Sequence, residues 1–173
     1  GTSKVSLVIG EVNNFNQIEV LCTTSCKCSG IKKGKIVDEN EIVLAVTKLI
    51  KEAEAETEME INSTYLTIPG KYVTIVQNSI TKEAKDKYAG ISSKDVAAAI
   101  SQVKDIDIPE GMQIIDIVTD EFILDNGKIV QDPVGSLSSN FIVKAQVVLA
   151  SKEYMKQLAN IFRRADIDID GLV

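Results

Sequence analysis

The sequence contains no histidine. Ser-His-Asp and Cys-His nucleophile systems, and the His-Glu-x-x-His zinc site, are therefore excluded. Hydrolytic chemistry would have to run on carboxylates, lysines and hydroxyls alone. Arginine is nearly absent too: the adjacent Arg163 and Arg164 are the only two, and the net charge is −6. A duplex-binding surface needs many cationic phosphate contacts, which argues against nucleic acid as a partner. No apolar stretch approaches the roughly 20 residues of a membrane span, and no signal peptide opens the sequence. The expectation is a soluble, cytoplasmic chain that does not itself insert into a membrane.

Cysteine is scarce and clustered, at Cys22, Cys26 and Cys28. An odd set within seven residues is not a secreted disulfide framework. A closed zinc site wants four ligands, and with histidine missing no metal site is expected. The three cysteines share parity along a predicted strand, which puts them on one face, where small apolar thiols pack well.

What is present is ordinary globular material: 173 residues, 45% hydrophobic and 25% charged, enough for one medium domain or two small ones. Val5–Val12 and Ile18–Ser29 read as a strand pair joined by Asn13-Asn14-Phe15-Asn16, and Gly34–Val37 as a short third strand. Ile42, Val46, Leu49, Ile50 and Ala53 fall on one face of a helix, for which Asp38 and Glu41 form a capping-box variant. Ile61–Ile68 is the next strand. A second unit follows: strand Tyr72–Ile80, a helix over Ile91–Asp105 with Val96, Ile100 and Val103 inward, then long strands Met112–Leu124 and Asn140–Ala150. Lys82–Gly90 reads as the most mobile loop. Ser151 precedes a helix whose apolar face is Met155, Leu158, Ala159 and Phe162, and Ile167–Val173 reads as a terminal strand. The fold class is α/β, α+β in the second unit.

Several motifs invite chemistry. Asp166, Asp168 and Asp170 followed by Gly171 resemble the opening of a calcium loop, but the interleaved isoleucines suit an alternating strand better. Lys32, Lys33 and Lys35 could meet a phosphate or an acidic partner, yet read more simply as a solvated turn before a strand. Asp120 and Glu121 are strand neighbours and so are expected on opposite faces, against a catalytic dyad. Asp125-Asn126-Gly127 is turn chemistry. No catalytic residue is assigned. Gly1-Thr2-Ser3-Lys4, directly before the first strand, has the composition of a phosphate-binding turn. Such a turn needs a strand on its other side, so the expectation is a chain that is part of a larger protein.

Ser29-Gly30-Ile31-Lys32-Lys33-Gly34-Lys35-Ile36-Val37-Asp38, followed by a helix with Ala45-Val46, resembles the FtsA family of actin-like bacterial cell-division proteins. So do Glu121-Phe122-Ile123-Leu124-Asp125 with Asp132-Pro133-Val134-Gly135, and the closing Asp168–Val173. The resemblance is collinear over the whole chain. It implies a partial actin-like (ribonuclease H-like) subdomain at 1–70 and 151–173. Between these lies an inserted strand–helix–strand–strand unit at 71–150, of the type called 1C or SHS2. It further implies that Gly1, Thr2, Ser3 and Lys4 form one phosphate edge of a cleft for ATP with Mg, complete only in the whole protein, so that this chain alone is not an enzyme. The implied role is to tether and organise the division ring at the cytoplasmic face of the inner membrane. The 1C-like unit would meet division-ring proteins and neighbouring subunits, and FtsZ would dock through parts absent here. The sequence departs from the family: no acidic residue precedes Gly1, Asp116-Ile117-Val118-Thr119 stands where the family has His-x-x-Pro, and Ser136–Asn140 lacks the usual Met and Arg. A pilus-assembly adaptor of the PilM type, and an actin-fold ATPase whose turnover is the function, are the alternatives.

Overall fold

Alternating apolar residues make β1 (Lys4–Val12) and β2 (Ile18–Lys27) an antiparallel hairpin, from Lys4 opposite Lys27 to Val12 opposite Ile18. These assignments come from a computed structural model that describes residues 4–86 and 88–173. Asn13 closes the hairpin by accepting the amides of Phe15 and Gln17 on its side-chain oxygen, both at 3.0 Å. The expected third strand is instead a miniature hairpin, β3 (Ile31–Lys32) with β4 (Lys35–Ile36). Its central residues Lys33 and Gly34 both have positive φ, 49° and 70°, the backbone of a type I′ turn.

Asp38 caps α1 (Glu39–Thr57), its carboxylate accepting the amides of Asn40 and Glu41. The capping box is not closed. Glu41 accepts the Ser29 hydroxyl at 3.0 Å, and the Asp38 amide goes to the Gly30 carbonyl. The face predicted for α1 is the buried one, with Ala45 added. All three cysteines point at this helix: Cys22 Sγ donates to Glu56, Cys26 to the Ala45 carbonyl and Cys28 to the Glu41 carbonyl.

β5 (Ser63–Leu66) pairs in parallel with β10 (Asp168–Leu172) near the C-terminus. Between them in sequence come β6 (Val73–Glu83), α2 (Ser93–Val103), β7 (Met112–Leu124), β8 (Ile129–Val130), β9 (Asn140–Ser151) and α3 (Lys152–Arg164). The chain divides into two compact units, Gly1–Pro69 with Glu153–Val173, and Gly70–Lys152.

In the first unit, α1 and α3 share a core that includes Ile42, Val46, Ile50, Ile161 and Ile167. The α3 face differs from expectation. Ala159 is exposed, while Tyr154 and Ile161 are buried. Tyr154, Leu158 and Ile161 form their own i, i+4, i+7 line, so two overlapping apolar stripes were available and packing selected the one containing Ile161.

The second unit is a four-stranded antiparallel sheet in the order β6-β9-β7-β8. Phe141, Val143, Ala145, Val147 and Leu149 alternate along β9 and are fully buried with Ala99 and Val103 of α2. The helix begins two residues later than expected. Ser92 and Asp95 form a complete capping box that sets Ser93 as its first residue. Lys82 and Glu83, expected in a loop, are the last residues of β6, and Ala84 and Ile91 beyond them are buried.

Candidate functional site

Two surfaces carry most of the features singled out in the sequence, one in each unit. In the first unit a groove of about 450 Å³ is bordered by Lys4–Val8 of β1 and by Thr64–Thr67. Its floor includes Ile42, Val46 and Leu49 of α1 and Leu158 and Phe162 of α3. Among the described residues each bordering strand carries a ladder partner on one edge, β2 for β1 and β10 for β5. Of the expected phosphate edge, Gly1, Thr2 and Ser3 lie outside the described residues. Lys4 is exposed at the first position of β1 and lines the groove. Gly34, from the lysine-rich turn, lines it too.

The aspartates of the calcium-like phrase lie in a strand. Asp168 and Asp170 are exposed on β10 with Ile169 between them half-buried, and Asp170 accepts the Ser63 hydroxyl. Asp166 has φ 59° in the turn after α3. Among the described residues no group of three or more Cys, Asp or Glu side chains is placed to hold a metal ion. Cys22, Cys26 and Cys28 are free thiols, and burial with the neighbouring Glu56 carboxylate pushes the Cys22 thiol up.

In the second unit, α2 covers one face of the sheet, and the other face carries the acidic pair. Here sequence reasoning failed. The ladder between β7 and β9 shifts register between Thr119 and Glu121, so Asp120 is the extra residue of a β-bulge. Asp120 accepts from Gln146 Nε2 at 2.9 Å, and Glu121 accepts from Lys144 Nζ at 2.7 Å. Lys144 and Gln146 are two apart on β9 and share one face, so both carboxylates reach to the same side. The result is a polar belt across the open face rather than a proton-transfer dyad, because each carboxylate is engaged by its own cross-strand partner. Exposed apolar residues flank the belt, Ile75 on β6 and Val118 on β7.

The family-like phrases of this unit serve the fold. Phe122 packs against Phe141 with ring centroids 6.3 Å apart. Asp125 accepts the Ser139 amide on its carboxylate, and this bond first, with the Ser138 side chain next, holds its carboxyl below the ordinary aspartate range, while its own amide donates to Ser138 Oγ. Asp132 accepts the Val134 amide, Pro133 is fully buried, and Gly135 with φ 81° donates to the Ile91 carbonyl. Asp125-Asn126-Gly127 is a turn, with Gly127 at φ 79° and Asn126 accepting the Lys128 amide.

Comparison with known proteins gives a consistent result. Residues 70–149 match the family model described as the SHS2 domain inserted in FtsA. The whole chain aligns with the cell division protein FtsA of Escherichia coli K12 at 23% identity over 173 residues, covering 41% of that protein. With FtsA of Bacillus subtilis it is 24% identical over 172 residues, 99% of this chain and 39% of the relative. It thus spans about two fifths of the curated relatives it matches. Among solved structures it resembles a chain of a PilM–PilN type IV pilus biogenesis complex, with TM-score 0.61 and 13% identity, over 99% of this chain and 44% of that one. The fold is α/β, a partial actin-like subdomain carrying an inserted strand–helix–strand–strand unit. Among the described residues no helix is long and apolar enough to cross a membrane.

Proposed function

We propose, from the premise that residues 70–149 belong to the SHS2 domains inserted in FtsA within a chain that is FtsA-like along its length, that this segment is a protein-contact module of cell division. Its role is to join a membrane-tethered parent to division-ring proteins and to neighbouring subunits of its own kind. The observation that carries this reading is the open face of the second unit's sheet, where the Asp120–Gln146 and Glu121–Lys144 belt lies beside exposed Ile75 and Val118. Apolar residues around satisfied polar pairs suit a reversible protein interface better than a small-molecule site. The free edge of β6 extends the same surface, since an edge strand offers its backbone to a partner strand.

The segment acts by binding and has no turnover of its own. Gly1-Thr2-Ser3-Lys4 is one edge of a phosphate site for ATP with Mg, which works only when the other half of an actin-like cleft is present. In the parent the site of action is the cytoplasmic face of the inner membrane at the division site, with FtsZ engaged through other subdomains.

The test is recruitment of the fluorescently tagged protein to division sites. Ile75→Lys with Val118→Lys is expected to abolish recruitment while circular dichroism and melting stay unchanged. Undiminished recruitment of a correctly folded variant would sink the proposal. The likeness to a PilM–PilN complex favours one rival, a pilus-assembly adaptor. Co-purification with a pilus-protein tail, and none with division proteins, would establish it in place of the first reading.

A further inference from the structure

The end of the β1–β2 hairpin has two unlike sides. The register shift between Ile9 and Gly10 leaves Leu21 as the extra residue of a bulge, and beyond it Gly10 opposes Val20, Glu11 opposes Glu19 and Val12 opposes Ile18. Alternation then places Val12, Ile18 and Val20 on one side with Val8, which opposes Thr23 further back. This side points away from α1, toward which Ile9 and Cys22 are turned. Val8 and Val20 are each 59% exposed, Val12 62% and Ile18 78%. Gly10 lets Ile18 lie flat across the ribbon, since a Cβ there would meet Ile18 Cγ2 at 3.1 Å. Phe15, at the tip, is 83% exposed. Isolated exposed apolar residues are common, but five within thirteen positions of one hairpin form a patch.

The reverse side carries Glu11 directly opposite Glu19. Like charges directly opposite each other destabilise a ladder. Among the described residues neither glutamate takes part in an ion pair, and the chain as a whole has net charge −6. A second copy of this chain would bring more negative charge to the same place. A cationic partner would relieve the repulsion.

We infer that the β1–β2 hairpin end is a docking surface for a basic amphipathic segment of a partner protein. Its apolar side chains seat on Val8, Val12, Ile18 and Val20, and its lysines or arginines reach over the ribbon edge to Glu11 and Glu19. The ribbon is one backbone thick, and among the described residues no strand pairs with the outer edge of β2. Long cationic side chains can therefore lie along the apolar patch and place their charged ends on the far side. This surface lies in the first unit and is independent of the sheet face in the second.

Two amphipathic peptides of equal length, one of leucine and lysine and one of leucine and glutamate, are titrated into the ¹⁵N-labelled chain. Expected is binding of the lysine peptide alone, with shifts confined to residues 8–23 and the second-unit resonances serving as an unmoved internal control. The double variant Glu11→Lys with Glu19→Lys should bind that peptide about tenfold more weakly, since two exposed charge pairs change from attractive to repulsive. Ile18→Ser with Val20→Ser should lose binding while the control resonances stay in place. Equal binding of both peptides, binding of neither, or peptide-independent dimerisation through residues 8–23 would each overturn the inference.

Discussion

Gly30 lies so close to Asp38 that a Cβ on the glycine would collide with the Asp38 carbonyl oxygen, and would meet Ile42 Cγ1 at 2.8 Å. The Gly30 carbonyl in turn accepts the amides of Val37 and Asp38, at 2.8 and 3.2 Å. The β3–β4 hairpin is thereby closed onto the start of α1. Backbone oxygen cannot yield as a flexible side chain can. Gly30→Ala is therefore expected to destabilise the first unit by about 1–3 kcal/mol, the usual range for overpacking. Cys28 is buried beside this junction, its Sγ donating to the Glu41 carbonyl, so the rate of its modification by a thiol reagent should rise in the variant. An unchanged rate would contradict the packing argument.

The Cys22 thiol offers a second measurement. Burial raises its pKa first, and the Glu56 carboxylate 3.3 Å away adds to the shift. Glu56→Gln removes the charge but keeps a polar partner, so the Cys22 pKa should fall toward the ordinary cysteine range. Alkylation at fixed pH should then be faster, and a slower reaction would show that Glu56 does not act through charge.

Asp95 and Asp125 make the second unit sensitive to acid. The Ser92 hydroxyl and amide hold the Asp95 carboxyl below its ordinary range, and the Ser139 amide and Ser138 do the same for Asp125. A carboxylate with a depressed folded-state pKa contributes stability that is fully present above its unfolded value and is lost as pH falls through the folded one. Thermal melts should therefore be flat near neutrality and decline below about pH 4, where unfolded aspartates titrate. Asp95→Asn should be less stable than the parent at neutral pH and converge with it in acid. A constant difference across the range would exclude the linkage.

The energetic ranking in the second unit can be tested with two substitutions. Phe141 is fully buried against Phe122, and Phe141→Ala should cost about 3–5 kcal/mol in urea denaturation. The Lys144–Glu121 pair is short but solvent-exposed, and Lys144→Ala should cost no more than about 1 kcal/mol. A reversed order would mean that the polar belt, rather than the core beneath it, holds the sheet.

Much of the architecture was legible in local pattern. The strand pair, the buried face of α1, the two long strands of the second unit and the alternation over Asp168–Asp170 all follow from apolar periodicity and appear in the structure. The lysine-rich turn and Asp125-Asn126-Gly127 were legible because glycine and asparagine are the residues that tolerate left-handed backbone. The missed features have one origin. A one-residue bulge leaves no mark on composition, yet it turned Asp120 onto the side of Glu121 and changed an expected separation into a shared belt. The choice between two stripes on α3 also depended on neighbours distant in sequence.

The sequence alone determined the long strands and the three helices, that no histidine-based chemistry is available, and where the FtsA-like phrases lie, because these depend on residue identity and short-range spacing. Tertiary structure decided which side chains share a surface. The close approach of Gly30 to Asp38, the common face of Asp120 and Glu121, and the apolar end of the first hairpin arise from ladder register and from contacts between segments far apart in the chain. Such relationships are set by the packing of whole elements, which no local window of residues contains.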